Sequence, residues 1–140
     1  MEKLLLVFVG GGIGSSLRYG VGRLVARATP RGAEDPHWLA MIPVATLLVN
    51  VIGCAAIGVV WGAVWGTAPG RGQDTAPAWS VFVVTGVLGG FTTFSAFGWE
   101  TLAMVQDGRA PAAIAYALAS VGLGLLGAWV GFGVGSLFFG

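Results

Sequence analysis

Residues 89–97 read Gly-Gly-Phe-Thr-Thr-Phe-Ser-Ala-Phe, inside the longer run VTGVLGGFTTFSAFGWE at 84–100. The flanks are apolar enough to lie in a membrane. The centre holds two glycines, two threonines, a serine and three phenylalanines. Gly89-Gly90 predicts a weak point midway along a membrane helix. A break there frees backbone carbonyls and amides in hydrocarbon, at several kcal/mol for each group left unsatisfied. Such a break is tolerated only where protein, water or an ion satisfies those groups. In transporters, unwound carbonyls often hold Na⁺, and a held cation offers a positive field to a passing anion.

The composition around this stretch demands a membrane. Of 140 residues, 56% are hydrophobic and 9% charged, with a mean hydropathy of +0.84. Soluble domains carry about 25% charged residues, so an integral membrane protein is the class that fits. The net charge of +1 comes with no basic tail, which implies no nucleic-acid partner. Cys54 is the single cysteine, so an intrachain disulfide and a cysteine metal site are excluded. His37, the single histidine, stands beside Pro36 and Trp38 and reads as a loop or interface residue.

Four apolar segments reach the ~20 residues that cross ~30 Å of hydrocarbon. They run over 4–25, 39–65, 79–105 and 111–139, and the whole chain, 1–140, reads as one transmembrane domain. The first begins like a signal peptide, with Lys3 before LLLVFVGGGIG, but its apolar run continues to Val25 and is read as a span. Charge and turn residues gather in the connections RATPRGAEDPH, TAPGRGQDTAP and QDGRAP. Pro111 suits a first helical turn, and Pro43 is tolerated early in the second segment or starts it late. Trp38, Trp61, Trp65, Trp79 and Trp99 fall near segment ends, as an aromatic belt requires.

Glycine occurs 25 times without a Gly-X-Y period. Gly58, Gly62 and Gly66, and likewise Gly127, Gly131 and Gly135, recur every fourth residue and predict backbone-to-backbone helix packing. Four spans place both termini on one side. That side carries Lys3 and Arg71, and the other carries Arg23, Arg27, Arg31 and Arg109. So mild a bias fixes orientation weakly, and such a chain can insert both ways round.

Polar residues inside spans are expensive and face a bundle interior or a wet path. Thr46 and Asn50 share one helix face, as do Tyr116 and Ser120, with Gly124 one turn further. A lone hydroxyl serves as interhelical glue, whereas the Asn50 amide needs several partners or a solute. Phe94 and Phe97 lie on one face three residues apart. Phenylalanines at that spacing serve packing, and their positive ring edges can also line a path for a small anion. No nucleophile–His pair, HExxH or phosphate loop is present, so nothing points to an enzyme.

The run GVLGGFTTFSAF, with LVNVIG upstream and Arg18 near the end of the first span, resembles the bacterial fluoride channel family, Fluc or CrcB. The likeness covers the whole chain. It implies a passive, fluoride-selective channel in the cell inner membrane that lowers cytoplasmic fluoride. It implies an antiparallel, dual-topology dimer, either of this chain alone or with a paralogue. It also implies a structural, untransported Na⁺ on the carbonyls of Gly89 and Thr92. The fluoride pathway maps onto Phe94, Phe97, Asn50, Thr46, Ser95, Thr93, Tyr116 and Ser120, and a vestibule arginine onto Arg18. Gly124 and Ala96 replace family hydroxyls, and Glu100 matches a family acid with no role attached.

Two other readings compete. A small dual-topology multidrug exporter needs a carboxylate deep in an early helix, and here the first span has none, since Glu2 precedes it. A non-transporting scaffold explains the glycine rows but neither the broken third helix nor the Asn50 stripe.

Overall fold

The computed structural model describes residues 1–29, 42–67 and 77–139, apart from the side chains of 65–67 and 139. His37, Trp38, Arg31 and Arg71 lie outside the described residues, as does the side chain of Trp65, and the packing around Gly66 is likewise not described. Every regular element described is helical: α1 (Glu2–Ala28), α2 (Val44–Thr67), α3 (78–91), α4 (Phe94–Gln106) and α5 (Ala110–Phe139). Among the described residues four spans are long and apolar enough to cross a membrane, with α3 and α4 forming the third across Ala78–Gln106. The chain is a multi-pass membrane protein.

Proline and glycine set the helix boundaries. The second helix starts at Val44 rather than at 39, because Pro43 supplies the first bonded carbonyl, to Leu47 N–H at 3.1 Å. At the end of α4, Gly108 takes φ +74°. Its N–H donates to Val105 O (3.0 Å) and Arg109 N–H donates to Met104 O (2.9 Å), which closes a Schellman cap. Pro111 then sits in the first turn of α5, as the sequence requires. An exposed Arg109–Asp107 ion pair at 2.6 Å spans this turn.

Two seams hold the bundle. Along α2 and α5 the glycine rows interlock: a Cβ at Gly58 would strike Ala128 O, one at Gly62 would strike Phe132 O, and one at Gly131 would strike Ala55 O. Such contact gives dense packing where lipid offers no hydrophobic drive between helices. The second seam joins α1 to α3, whose residues Val81–Leu88 follow the wider π-helical winding. Here Gly10 meets Phe82 and Gly86, and Gly90 meets Gly11, where a Cβ would lie 2.5 Å from the Gly11 carbonyl oxygen.

The glycine pair therefore does not break the third span. Gly89 is helical, with φ −63° and ψ −38°, and the helix runs on to Phe91. The break falls two residues later. Thr92 (φ −80°, ψ 160°) and Thr93 (φ −152°, ψ 113°) are extended. Gly90 is used for close approach to α1, while the threonines carry the hydroxyls that can close the helix ends on either side of the break.

Candidate functional site

The break begins with Thr92. Its N–H and its Oγ1 both donate to Leu88 O, each at 3.0 Å, so the hydroxyl helps close α3. Thr93 caps α4: its Oγ1 accepts from Ala96 N–H at 3.2 Å and lies 3.2 Å from Ser95 Oγ. The backbone groups between these caps are met by side chains from other helices. Asn50 on α2 accepts from Thr93 N–H through Oδ1 (2.8 Å) and donates from Nδ2 to Thr93 O (3.1 Å). Arg18 on α1 donates from Nη1 to Thr92 O (3.2 Å), and Ser15 Oγ reaches Gly90 O at 3.4 Å. These bonds let non-helical backbone exist at membrane depth.

Asn50, half-buried, thus makes two hydrogen bonds, both to the backbone of Thr93. Thr93 N–H, which an unbroken helix would give to Gly89 O, is diverted to Asn50. The Gly89 carbonyl is left without that donor.

A cavity of about 330 Å³ opens beside the break. Asn50, Gly89, Thr92, Thr93, Phe94 and Ser120 are among its walls, with Phe97. Ser120 Oγ is buried there without a hydrogen-bond partner among the described residues. Cys54, one turn beyond Asn50, also lines it and stands against the bare backbone of Gly124. On the other side of Thr93 a second cavity, of about 170 Å³, is lined by Arg18, Thr46 and Thr93 among others.

The aromatic residues form a short ladder. The Phe94 and Phe97 rings are 5.6 Å apart, and those of Phe97 and Tyr116 are 5.4 Å apart, each pair tilted by 48°. Tyr116 is buried and packs with Met104 and Ala113, against which Phe97 also leans. Phe94 is different. It is 82% exposed and turns its ring away from the core of the chain. At the inner end of the ladder, Tyr116 Oη donates to Glu100 Oε2 (2.8 Å) and Thr46 Oγ1 donates to Glu100 Oε1 (2.7 Å).

The comparisons with known proteins agree with one another. A family model described as "CrcB-like protein, Camphor Resistance (CrcB)" matches residues 5–132. The chain belongs to the CrcB family. Its relatives carry names of one kind. A Nitratidesulfovibrio vulgaris protein named "Fluoride-specific ion channel FluC" is 37% identical over 137 residues, covering 98% of this chain and 99% of that one. A Thermus thermophilus protein of the same name is 39% identical over 141 residues, covering both chains fully. A Nitrobacter hamburgensis protein named "Fluoride-specific ion channel FluC 2" is 42% identical over 127 residues, covering 91% of each chain.

In this CrcB-family chain the sequence-chosen residues divide four ways. Asn50, Thr93, Phe94, Phe97 and Ser120 meet at the large cavity. Thr46 and Tyr116 meet instead at Glu100, behind Phe97. Ser95 lies outside both cavities, exposed at the start of α4 beside Thr93. Arg18 lines the smaller cavity and holds the break. The sequence singled out Glu100 without giving it a role. Its partners come from α2 and α5, 54 and 16 residues away, so no spacing within α4 announces the cluster.

Proposed function

We propose that this protein is a passive fluoride-selective channel that lets fluoride leave the cell. The observation that carries the reading is the cavity at the helix break, where Asn50, the Phe94–Phe97 pair and the unpartnered Ser120 hydroxyl converge. The names of the full-length relatives supply the ion.

Fluoride is small and a strong hydrogen-bond acceptor. Asn50 spends one Nδ2 hydrogen on Thr93 O and has a second to offer. Ser120 Oγ has an unspent donor. Ring edges at Phe94 and Phe97 add weak positive potential without a charge that would trap the ion. Beyond them, the Tyr116, Thr46 and Glu100 cluster holds the ladder in place. Thr93 and Ser95 frame the start of α4. Chloride, larger and a weaker acceptor, gains less from each of these donors.

The working unit in this reading is an antiparallel dimer of this chain, with a heterodimer as the other form. An exposed Phe94 and a cavity reaching the surface of one subunit support a second subunit as the far wall. The same reading places a structural Na⁺ at the break, where it supplies fixed positive charge. Among the described residues no three His, Cys, Asp or Glu side chains converge on a metal site, so backbone oxygens would have to hold it. The Gly89 carbonyl, relieved of Thr93 N–H, and Thr92 O, with one lone pair beside its Arg18 bond, fit that task.

Fluoride efflux from liposomes containing only this chain, with Na⁺ on both sides and a matched chloride control, tests the proposal. Fluoride efflux without chloride efflux is expected. Flux driven by a proton gradient would favour an exporter, and no flux of any ion from folded protein would favour a scaffold or an obligate partner chain.

A further inference from the structure

We propose that Arg18 and Asn50 form a two-point clamp on the helix break, a positioning device that fixes α4 and therefore Phe94 and Phe97. This rests on the reading of those rings as part of the ion path. It goes beyond that reading because it gives Asn50 a second task and gives the vestibule arginine, Arg18, a positioning one.

The geometry is that of a strand partner supplied by side chains. Thr92 and Thr93 are extended, and an extended pair ordinarily finds its hydrogen bonds in a neighbouring strand. No neighbouring strand is present among the described residues. The Asn50 amide takes its place, accepting Thr93 N–H and donating to Thr93 O within one residue, as a ladder partner would. Arg18 covers the preceding carbonyl, Thr92 O. The two clamping residues come from α1 and α2, so the break is registered against two helices at once. Thr93 is also the N-cap of α4 through its bond with Ala96 N–H. Phe94 follows it directly, and Phe97 lies one turn on. Displacing Thr93 therefore displaces both rings.

Packing on α2 adds to the clamp. Gly53, one turn beyond Val49 on α2, is buried, and a Cβ there would collide with the Thr92 methyl. The break is thus pressed against α2 on its apolar side as well as bonded to it on its polar side.

Two readouts test this on the full-length chain in lipid nanodiscs and liposomes. The first is hydrogen–deuterium exchange of peptides covering 89–97, with α5 peptides as a control for the fold. Arg18→Met, which removes one hydrogen bond, is expected to speed exchange in 89–97 by about tenfold, the factor for about 1.4 kcal/mol, and Asn50→Ala, which removes two, by at least as much, while α5 stays unchanged. Asn50→Asp, nearly isosteric, keeps the acceptor for Thr93 N–H but sets an oxygen against Thr93 O. It is expected to speed exchange locally as well, and it decides the matter if Asn50→Ala does not fold.

The second readout is fluoride flux through the single and double variants. Independent roles multiply, so two tenfold losses would give about a hundredfold loss in Arg18→Met/Asn50→Ala. A shared clamp, once open, has little left to lose, and the double variant is expected to stay close to the worse single variant. Lost flux with unchanged exchange in 89–97 would overturn the clamp in favour of Asn50 as an ion donor alone. Faster exchange with unchanged flux would overturn it as a positioning device. If the wild type carries no fluoride, the fluoride reading fails separately, and the clamp stands or falls on the exchange data of the single variants.

Discussion

Glycine builds two very different places in this protein. On the α2–α5 seam, Gly58, Gly62 and Gly131 press backbone on backbone, and both helices run unbroken for 24 and 30 residues. In the third span, Gly86 and Gly90 make the same kind of contact with α1, yet the helix opens within two residues of Gly90. The difference lies in what surrounds the backbone. On the α2–α5 seam the side-chain bond from Ser136 Oγ to Phe132 O stays within one turn of α5 and leaves the helix intact. At the break, Asn50, Arg18 and the Thr93 hydroxyl offer three alternatives to the helical hydrogen bond. A membrane helix opens where partners wait for its backbone, whatever its glycine content.

The comparison can be broken most forcefully on the seam. Gly131→Leu drives a side chain into Ala55 O. Overpacking of this kind costs about 1–3 kcal/mol or more even where neighbours can shift, and backbone cannot. Monodisperse protein on size exclusion in detergent is expected to fall to a small fraction of wild type. A well-folded Gly131→Leu would show that the seam is looser than its geometry.

Glu100 sharpens the contrast from the polar side. Glu100→Gln keeps one acceptor for Thr46 or Tyr116 and places an NH₂ against the other hydroxyl. One of the two hydroxyls loses its acceptor, and a loss of about 1–2 kcal/mol in detergent-unfolding stability is expected. Fluoride flux should fall with it as the Phe97–Tyr116 contact loosens.

The smallest effects separate the two glycines that the sequence presents as a pair. Gly90→Ala meets Gly11 O at 2.5 Å and is expected to destabilise by about 1–2 kcal/mol. A Cβ at Gly89 finds only Val84 O, at 3.6 Å. Gly89→Ala in helical backbone is expected to be neutral, or to gain up to about 1 kcal/mol from helix propensity. Thermal unfolding of the two variants side by side checks the pair. Equal damage from both would restore the glycines as the cause of the break.

How much of this was legible beforehand follows the same division. The four spans were visible because ~20 apolar residues have few other uses. The glycine rows on α2 and α5 were legible because their four-residue period matches the helix, and Gly58, Gly62 and Gly131 pack as that period requires. The second span begins at Val44, the later of the two starts that Pro43 allowed. The break was anticipated in the right span and two residues early. Gly-Gly signals weakness locally, whereas the partners that open Thr92–Thr93 sit 43 and 74 residues away. The stripe of Thr46 and Asn50 was correctly placed on one face, but the face is divided between two tasks. Thr46 holds Glu100 and Asn50 holds Thr93. Period alone cannot say which neighbour a polar stripe meets.

Phe94 offers the most direct test of the ion path, because its 82% exposure uncouples function from fold. Fluoride-electrode efflux from liposomes should be compared for wild type and Phe94→Ile at equal amounts of folded protein. Rapid fluoride-only efflux is expected from wild type. Phe94→Ile is expected to lose at least about tenfold in rate, about 1.4 kcal/mol in barrier, with unfolding temperature unchanged. Undiminished fluoride efflux from Phe94→Ile would contradict a path along the ring edges beside the helix break.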